Sequence, residues 1–170
     1  MSKNKIIFLL IALALMSFLF IKGDDAEVVK ESVQTVVPAG WREYRSDKYK
    51  FGVSYPKEIK ASEYDEGGGA STIIYEDVKN VQGFQVFVTP YQETQVSIEK
   101  FKSDVPSGAM KEPREVLVAS STATAFYNNH PILGELFEVW FIKNGFLYEV
   151  TTLKSLEPLL TEIIKTWRFI

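Results

Sequence analysis

The chain opens with a long apolar run and then changes to short alternating segments. Residues 6–21 (IIFLLIALALMSFLFI) are apolar except for one serine, and a lysine stands on each side of the run. As a helix the run would be about 24 Å long at ~1.5 Å per residue, somewhat less than the ~30 Å hydrocarbon core of a bilayer. The pattern predicts that residues 1–22 form a transmembrane or signal helix.

The residues around this helix decide whether it remains in the membrane. Signal peptidase cleaves after small residues, whereas Phe18 to Ile21 are bulky, so we expect a retained signal anchor. Cleavage followed by secretion is the alternative. Lys3 and Lys5 precede the run and acidic residues follow it, an arrangement that keeps the N-terminus in the cytoplasm. We therefore expect a membrane-anchored protein of the bacterial envelope, with its domain on the extracytoplasmic side.

Beyond the anchor, the pattern indicates a linker and one folded domain. Residues 23–40 mix acidic and small side chains and end in Pro-Ala-Gly, which is typical of a linker. Residues 41–170 consist largely of short alternating or apolar runs between turn residues, and such runs predict β-strands. Asn144-Gly145 is the strongest turn signal among them, because both positions of a tight hairpin turn favour positive φ.

A two-residue turn at this point determines the register of the strands on either side. Phe141 then faces Tyr148 and Val139 faces Val150, so one face of the strand pair is apolar. The other face is also largely apolar, although it carries two carboxylates. Both faces therefore need to be covered, and we expect helices or loops to pack on each of them.

Two segments have the spacing of amphipathic helices. Near the C-terminus the apolar positions recur every three or four residues, with Ser155 as the expected N-cap and Pro158 in the first turn. A shorter helix is expected to begin at Ser97. The predicted fold class is α+β, a mainly antiparallel sheet with helices on both faces. The apolar stripes are Leu156, Leu159, Leu160, Ile163, Ile164 and Trp167 in the last helix and Ile98, Phe101 and Val105 in the shorter one.

Charge and composition exclude several classes of function. Charged residues make up 24% of the chain and the net charge is -3, so the basic excess that nucleic-acid binding requires is missing. The chain has no cysteine, which excludes disulfides, thiolate metal sites, a cysteine nucleophile and a lipid-modified cysteine. No sequence motif indicates a cofactor.

Few residues have a pattern associated with catalysis or ligand binding. His130 is the only histidine, and residues 128–131 predict a turn, so we expect a surface residue and not a catalytic one. Glu138 and Glu149 come at diagonal positions on one sheet face, about 7 Å apart. Paired carboxylates can bind calcium or hydrolyse glycosides, but a pair of solvated acids at the sheet rim is the commoner arrangement. The glycines at 67–69 lack the Lys-Ser/Thr and the helix of a phosphate-binding loop.

Motifs at both ends of the domain resemble PsbP-like domains, the family of the photosystem II extrinsic protein PsbP and its bacterial relatives, including non-photosynthetic ones. Residues 49–56 (YKFGVSYP) are similar to the opening of those domains. Residues 146–151 (FLYEVT) precede a last helix that closes on residues 166–169 (TWRF). The resemblance implies an early hairpin, an antiparallel sheet between helical layers, a short strand after the last helix, and a binding or assembly role without catalysis. No metal-site or docking-site motif of the family maps onto this chain.

These features predict a noncatalytic module that is tethered to the membrane and binds a protein or another envelope component. The expected contact surface is the sheet face or the loops around residues 128–134. Two alternatives stay open. One is an extracytoplasmic hydrolase that uses acidic residues such as Glu138 and Glu149, which are also the weak candidates for a metal site. The other is an envelope protein that binds calcium or a small ligand.

Overall fold

The computed structural model describes residues 37–105 and 107–170. The helix predicted at 1–22 and most of the linker predicted at 23–40 lie outside these residues. Within the described ranges, no helix has the length and apolar character needed to cross a membrane. The membrane anchor and the extracytoplasmic location therefore stay predictions.

Ten strands and two α-helices follow one another in the described part of the chain. Strands β1 to β5 are Trp41–Ser46, Phe51–Pro56, Lys60–Gly67, Ala70–Asp77 and Gln82–Pro90. After helix α1, Ile98–Asp104, come β6 to β9 at Lys111–Val118, Ser121–His130, Gly134–Lys143 and Phe146–Leu153. A 3-10 turn, Lys154–Leu156, leads into helix α2, Glu157–Lys165, which is followed by β10, Arg168–Phe169.

Seven of the strands form one antiparallel sheet in the order β3-β4-β5-β9-β8-β7-β6. The predicted hairpin joins β8 to β9, with Phe141 opposite Tyr148 and Val139 opposite Val150, so its register is confirmed. Its turn residues Asn144 and Gly145 have φ of 55° and 80°. β5 pairs with β9, so the segment between β5 and β6, which contains α1, crosses from the middle of the sheet to its far edge.

The apolar core lies between this sheet and a second layer that consists of the small sheet β1-β2-β10 and helix α2. Phe51 of β2 stacks on Trp167 with 4.6 Å between ring centres, and it forms an edge-to-face pair with the ring of Tyr148. The Tyr148 hydroxyl also donates a 2.5 Å hydrogen bond to the backbone carbonyl of Tyr49. Since burial of a side chain as large as phenylalanine stabilises a fold by about 1.5–3 kcal/mol, these aromatic contacts hold the two layers together.

The predicted fold class, α+β with helices on both faces, is wrong. Strands contain 56% of the described residues and helices 14%, so the domain is mostly antiparallel β. One face of the large sheet is covered mainly by the three-stranded sheet, and among the described elements only the seven-residue helix α1 lies on the opposite face. The apolar hairpin showed that both faces need cover. It did not show that strands supply it, because alternation within a strand does not reveal which sheet the strand joins.

Both short helices are present, with differences at their ends. Ser97 caps α1 as predicted, and its hydroxyl accepts a 3.1 Å hydrogen bond from the backbone N–H of Lys100. Ile98, predicted on the apolar stripe of this helix, is exposed. Ser155 is not the N-cap of α2, because it lies in the 3-10 turn and Leu156 takes the cap position without a side-chain bond. The 3-10 turn leads directly into α2, as such turns commonly do at helix ends.

Candidate functional site

An open apolar cleft lies between the β4–β5 turn and the β7–β8 turn. Its volume is about 620 Å³, and its walls include Val78 and Val81 from the first turn, Leu133 from the second, and Leu156 from the 3-10 turn. The first three of these side chains, and the neighbouring Ile132, are exposed to solvent. Clustered exposed aliphatic side chains around a concave surface are typical of an interaction site.

The β4–β5 turn holds its apolar side chains outward at an energetic cost. Asp77 accepts hydrogen bonds from the backbone N–H groups of Lys79 and Asn80, at 3.1 and 3.2 Å, and from the Asn80 side chain at 2.6 Å. These bonds, the Asn80 side chain first, lower the pKa of Asp77. Val81 has φ of 52° and is 77% exposed. A left-handed backbone costs a non-glycine residue about 1–2 kcal/mol, and strain of this kind concentrates at functional sites.

His130, the last residue of β7, fixes the second turn. Its Nδ1 accepts hydrogen bonds from the backbone N–H groups of Ile132 and Leu133, at 3.2 and 3.1 Å. Because Nδ1 is the acceptor, the proton of the neutral ring lies on Nε2. The turn lies at residues 131–133, because β7 continues through residues 128–130, where the sequence predicted the turn to begin. The histidine positions Leu133 at the cleft and Ile132 next to it.

The glycines at 67–69 form the tight turn of the β3–β4 hairpin. Gly67 pairs with Ala70, and Gly68 and Gly69 have φ of 58° and 85°. A strand and not a helix follows them, so the structure agrees with the sequence that this is a connection and not a phosphate-binding loop.

A smaller, polar pocket of about 270 Å³ adjoins the cleft. Four residues line both cavities, namely Gln85, Leu133, Leu136 and Thr151. Glu138 and Glu149 line the pocket as well, and the strand register places them diagonally, as predicted, with Glu138 opposite Thr151 and Trp140 opposite Glu149. The sequence pattern thus identified two of the pocket residues from local register alone.

The two carboxylates are buried, so their interpretation as solvated acids at the rim is wrong. Glu138 is 5% exposed and Glu149 is 6% exposed. Helix α1 covers both glutamates. Its Phe101 ring packs against the rings of Phe126 and Trp140 on the same face of the sheet, with 5.8 Å between ring centres in each pair. This helix belongs to a crossover far from both glutamates in sequence, which is why strand alternation did not reveal the burial.

Glu138 has a full set of hydrogen-bond donors. Its Oε1 accepts from Asn128 Nδ2 at 2.8 Å, and its Oε2 accepts from Trp140 Nε1 at 3.1 Å and from the Thr151 hydroxyl at 2.6 Å. Burial raises the pKa of Glu138, and the three donors act against this rise because they favour the ionised form. Both carboxylate oxygens are therefore engaged within the protein.

Glu149 has a different environment, in which burial and neighbouring charges outweigh hydrogen bonds. Lys100 Nζ lies 3.4 Å from Glu149 Oε1, contacts the Asp104 carboxylate and sits 5.4 Å from the centre of the Phe87 ring. Burial, followed by the neighbouring Asp104 carboxylate, raises the pKa of Glu149 to about 8, while Lys100 acts in the opposite direction. Glu149 therefore carries a proton over much of the neutral range, and its Oε1 accepts no hydrogen bond from the described residues.

Three members of this pocket region escaped the sequence analysis: Lys100, Asp104 and Asn128. The first two form an ion pair one helical turn apart, a spacing that the i, i+4 rule could have identified. Asn128 carried no signal beyond its place near a turn. Within the described ranges, no group of three histidine or acidic side chains has the arrangement of a metal site. Glu138 and Glu149 as metal ligands stay a prediction.

Comparison with known proteins finds a similar fold. No family model matches the chain, and no curated protein matches it by sequence. Among solved structures, the solution structure of cyanobacterial PsbP (CyanoP) from Synechocystis sp. PCC 6803 is similar, with a TM-score of 0.56 and 9% sequence identity. The match covers 79% of this chain and 95% of that chain. The predicted resemblance to PsbP-like domains is thereby confirmed at the level of the fold, including the early hairpin and the short strand after the last helix.

Proposed function

We propose that this chain with a PsbP-like fold is a noncatalytic binding module, tethered to the membrane by residues 1–22, that docks a partner protein through the apolar cleft. The observation that carries the proposal is the group of exposed aliphatic side chains on the two turns that form the cleft. Val78 and Val81 come from one turn and Ile132 and Leu133 from the other.

Two features of the turns support a binding role over a purely structural one. Each turn is fixed by side-chain hydrogen bonds, from Asp77 in one case and His130 in the other, so the apolar groups are held in place before binding. Preorganised groups lose less conformational entropy on association. The left-handed valine at position 81 adds a local cost that a glycine would avoid.

The noncatalytic part of the proposal is supported by the site chemistry. Glu138 has both oxygens occupied by internal donors, so it cannot act as a free base or nucleophile without losing those bonds. His130 uses Nδ1 to hold a turn. The resemblance to PsbP-like domains implies binding or assembly in the same way.

Site-specific photo-crosslinking in intact cells tests the docking surface. A photoreactive phenylalanine analogue is placed at Leu133 in the full-length chain, and at Leu117 of β6 as the matched control. The two leucines are 58% and 69% exposed, so both variants should fold. We expect one discrete adduct from position 133 and none from position 117.

A second change makes the result specific. Val78→Asp places a charge on the opposite turn of the cleft and should abolish the adduct from position 133, while the thermal unfolding of the chain stays the same because Val78 is exposed. Equal adducts from positions 133 and 117, or an adduct that survives Val78→Asp, would contradict the proposed function.

A further inference from the structure

The polar pocket adjoining the cleft has more acidic than basic groups. Asp104, Glu138 and Glu149 line it, and in the described part of the chain one ammonium group, that of Lys100, contacts them. Lys100 itself is not among the residues that line the cavity. Three carboxyl groups thus face one ammonium group, and a buried excess of acidic groups is stabilised by protons, as at Glu149, or by an additional cation.

An unpartnered acceptor gives the pocket a second feature that points to a ligand. Asn128 is 1% exposed and lines the cavity, and its Oδ1 accepts no hydrogen bond from any described residue. Its orientation is defined, because its Nδ2 donates to Glu138. A buried carbonyl oxygen without a donor costs about 1–3 kcal/mol, and an N–H donor from outside would remove this cost.

The shape and walls of the pocket restrict the kind of cation. Phe87 and Trp140 supply aromatic surface, which favours an ammonium or guanidinium group. The volume of about 270 Å³ lies just below the ~300–1,000 Å³ of pockets that enclose whole small ligands. A single long side chain therefore fits better than a complete molecule.

The cleft and the pocket lie side by side, since Gln85, Leu133, Leu136 and Thr151 line both of them. A chain segment that covers the apolar cleft can therefore extend one side chain into the acidic pocket. We propose that the partner presents a lysine from an apolar segment, with its ammonium group against Glu149 and Asn128 Oδ1. This inference rests on the proposed function, since the partner occupies the same cleft.

Peptide binding to the full-length chain in detergent micelles tests the lysine. The probe is an acetylated, amidated pentapeptide, Ala-Leu-Lys-Leu-Ala, and the control peptide has norleucine in place of lysine. Pentylamine serves as a free amine. The readout is the indole N–H signal of Trp140, whose proton is donated to Glu138 inside the pocket.

We expect a saturable shift of this signal with the lysine peptide, and affinity at least about tenfold lower for both the norleucine peptide and pentylamine. Glu149→Gln should lower the affinity of the protein for the lysine peptide by about the same factor. Glu162→Gln, at an exposed carboxylate of α2, should leave the affinity for the lysine peptide unchanged. Circular dichroism of both variants checks that each is folded.

Each contrary outcome overturns the lysine proposal. Equal binding of the norleucine peptide would show that the cleft alone accounts for affinity, and equal binding of pentylamine would make the ligand a free amine. If none of the probes shifts the Trp140 signal, the pocket is not a binding site. None of these results depends on the crosslinking at Leu133, so failure of the lysine and failure of the docking surface are separate findings.

Discussion

Replacing Glu149 by glutamine tests whether this buried carboxyl group holds a proton in the folded protein. Burial and the Asp104 carboxylate raise its pKa from 4.5 to about 8. Between these two values the folded state binds the proton and the unfolded state does not. The stability from this group is therefore fully present below about pH 4.5 and is lost as the pH rises through 8.

The size of the effect follows from proton linkage. One proton bound only in the folded state changes the free energy of unfolding by about 1.4 kcal/mol per pH unit. From pH 5 to pH 8 the wild-type chain should therefore lose about 4 kcal/mol through Glu149, a large part of the ~5–15 kcal/mol that stabilises a typical domain. Glutamine keeps the shape but does not titrate. The neighbouring charged and titratable groups are the same in both proteins, so the comparison isolates Glu149. They are Lys100 and Asp104 of α1, Glu138 of β8 and His130 of β7.

Urea unfolding of the full-length chain in micelles, followed by tryptophan fluorescence at four pH values from 5 to 8, measures this difference. Glu162→Gln is the control, because its carboxylate is exposed and, among residues 37–105 and 107–170, pairs with Lys165 alone. We expect the Glu149→Gln curve to be flatter than wild type by up to about 4 kcal/mol over the range, and the control to follow wild type. Equal slopes for Glu149→Gln and wild type, or a wild-type stability that rises toward pH 8, would refute the argument.

Three further predictions concern the strands and turns at the cleft. Gly83→Ala should destabilise the chain by about 3 kcal/mol in thermal unfolding, because a Cβ would lie 2.3 Å from the Tyr75 carbonyl oxygen; an unchanged melting temperature would contradict this. Val81→Gly should stabilise the chain by about 0.5–1 kcal/mol while it weakens the crosslink at Leu133, and loss of stability would contradict the strain at this position. His130→Ala should cost about 0.5–1.5 kcal/mol, since two exposed backbone N–H groups exchange the imidazole acceptor for water, and should broaden the Leu133 amide signal in NMR; a sharp, unshifted signal would count against its role in the turn.

Part of the candidate site could be predicted from the sequence. The diagonal placement of Glu138 and Glu149 followed from the Asn-Gly turn, because register within a hairpin is a local property. Their burial did not follow, since the helix that covers them begins at Ser97 and reaches them only through the crossover after β5. Lys100 joined the site for the same reason. Asn128 comes instead from β7, the strand next to Glu138, and carried no signal of its own.

The fold shows the same division. The sequence by itself determined most of the strands, the Asn144-Gly145 turn with its β8–β9 register, and the two short helices, because alternation, turn residues and caps act over a few neighbouring residues. Only the tertiary structure decided that the cover over the core is a second sheet, in which Arg168 pairs with Gly52. It also decided that two distant turns enclose one cleft. Such contacts are selected by burial of the whole apolar surface, which no single segment encodes.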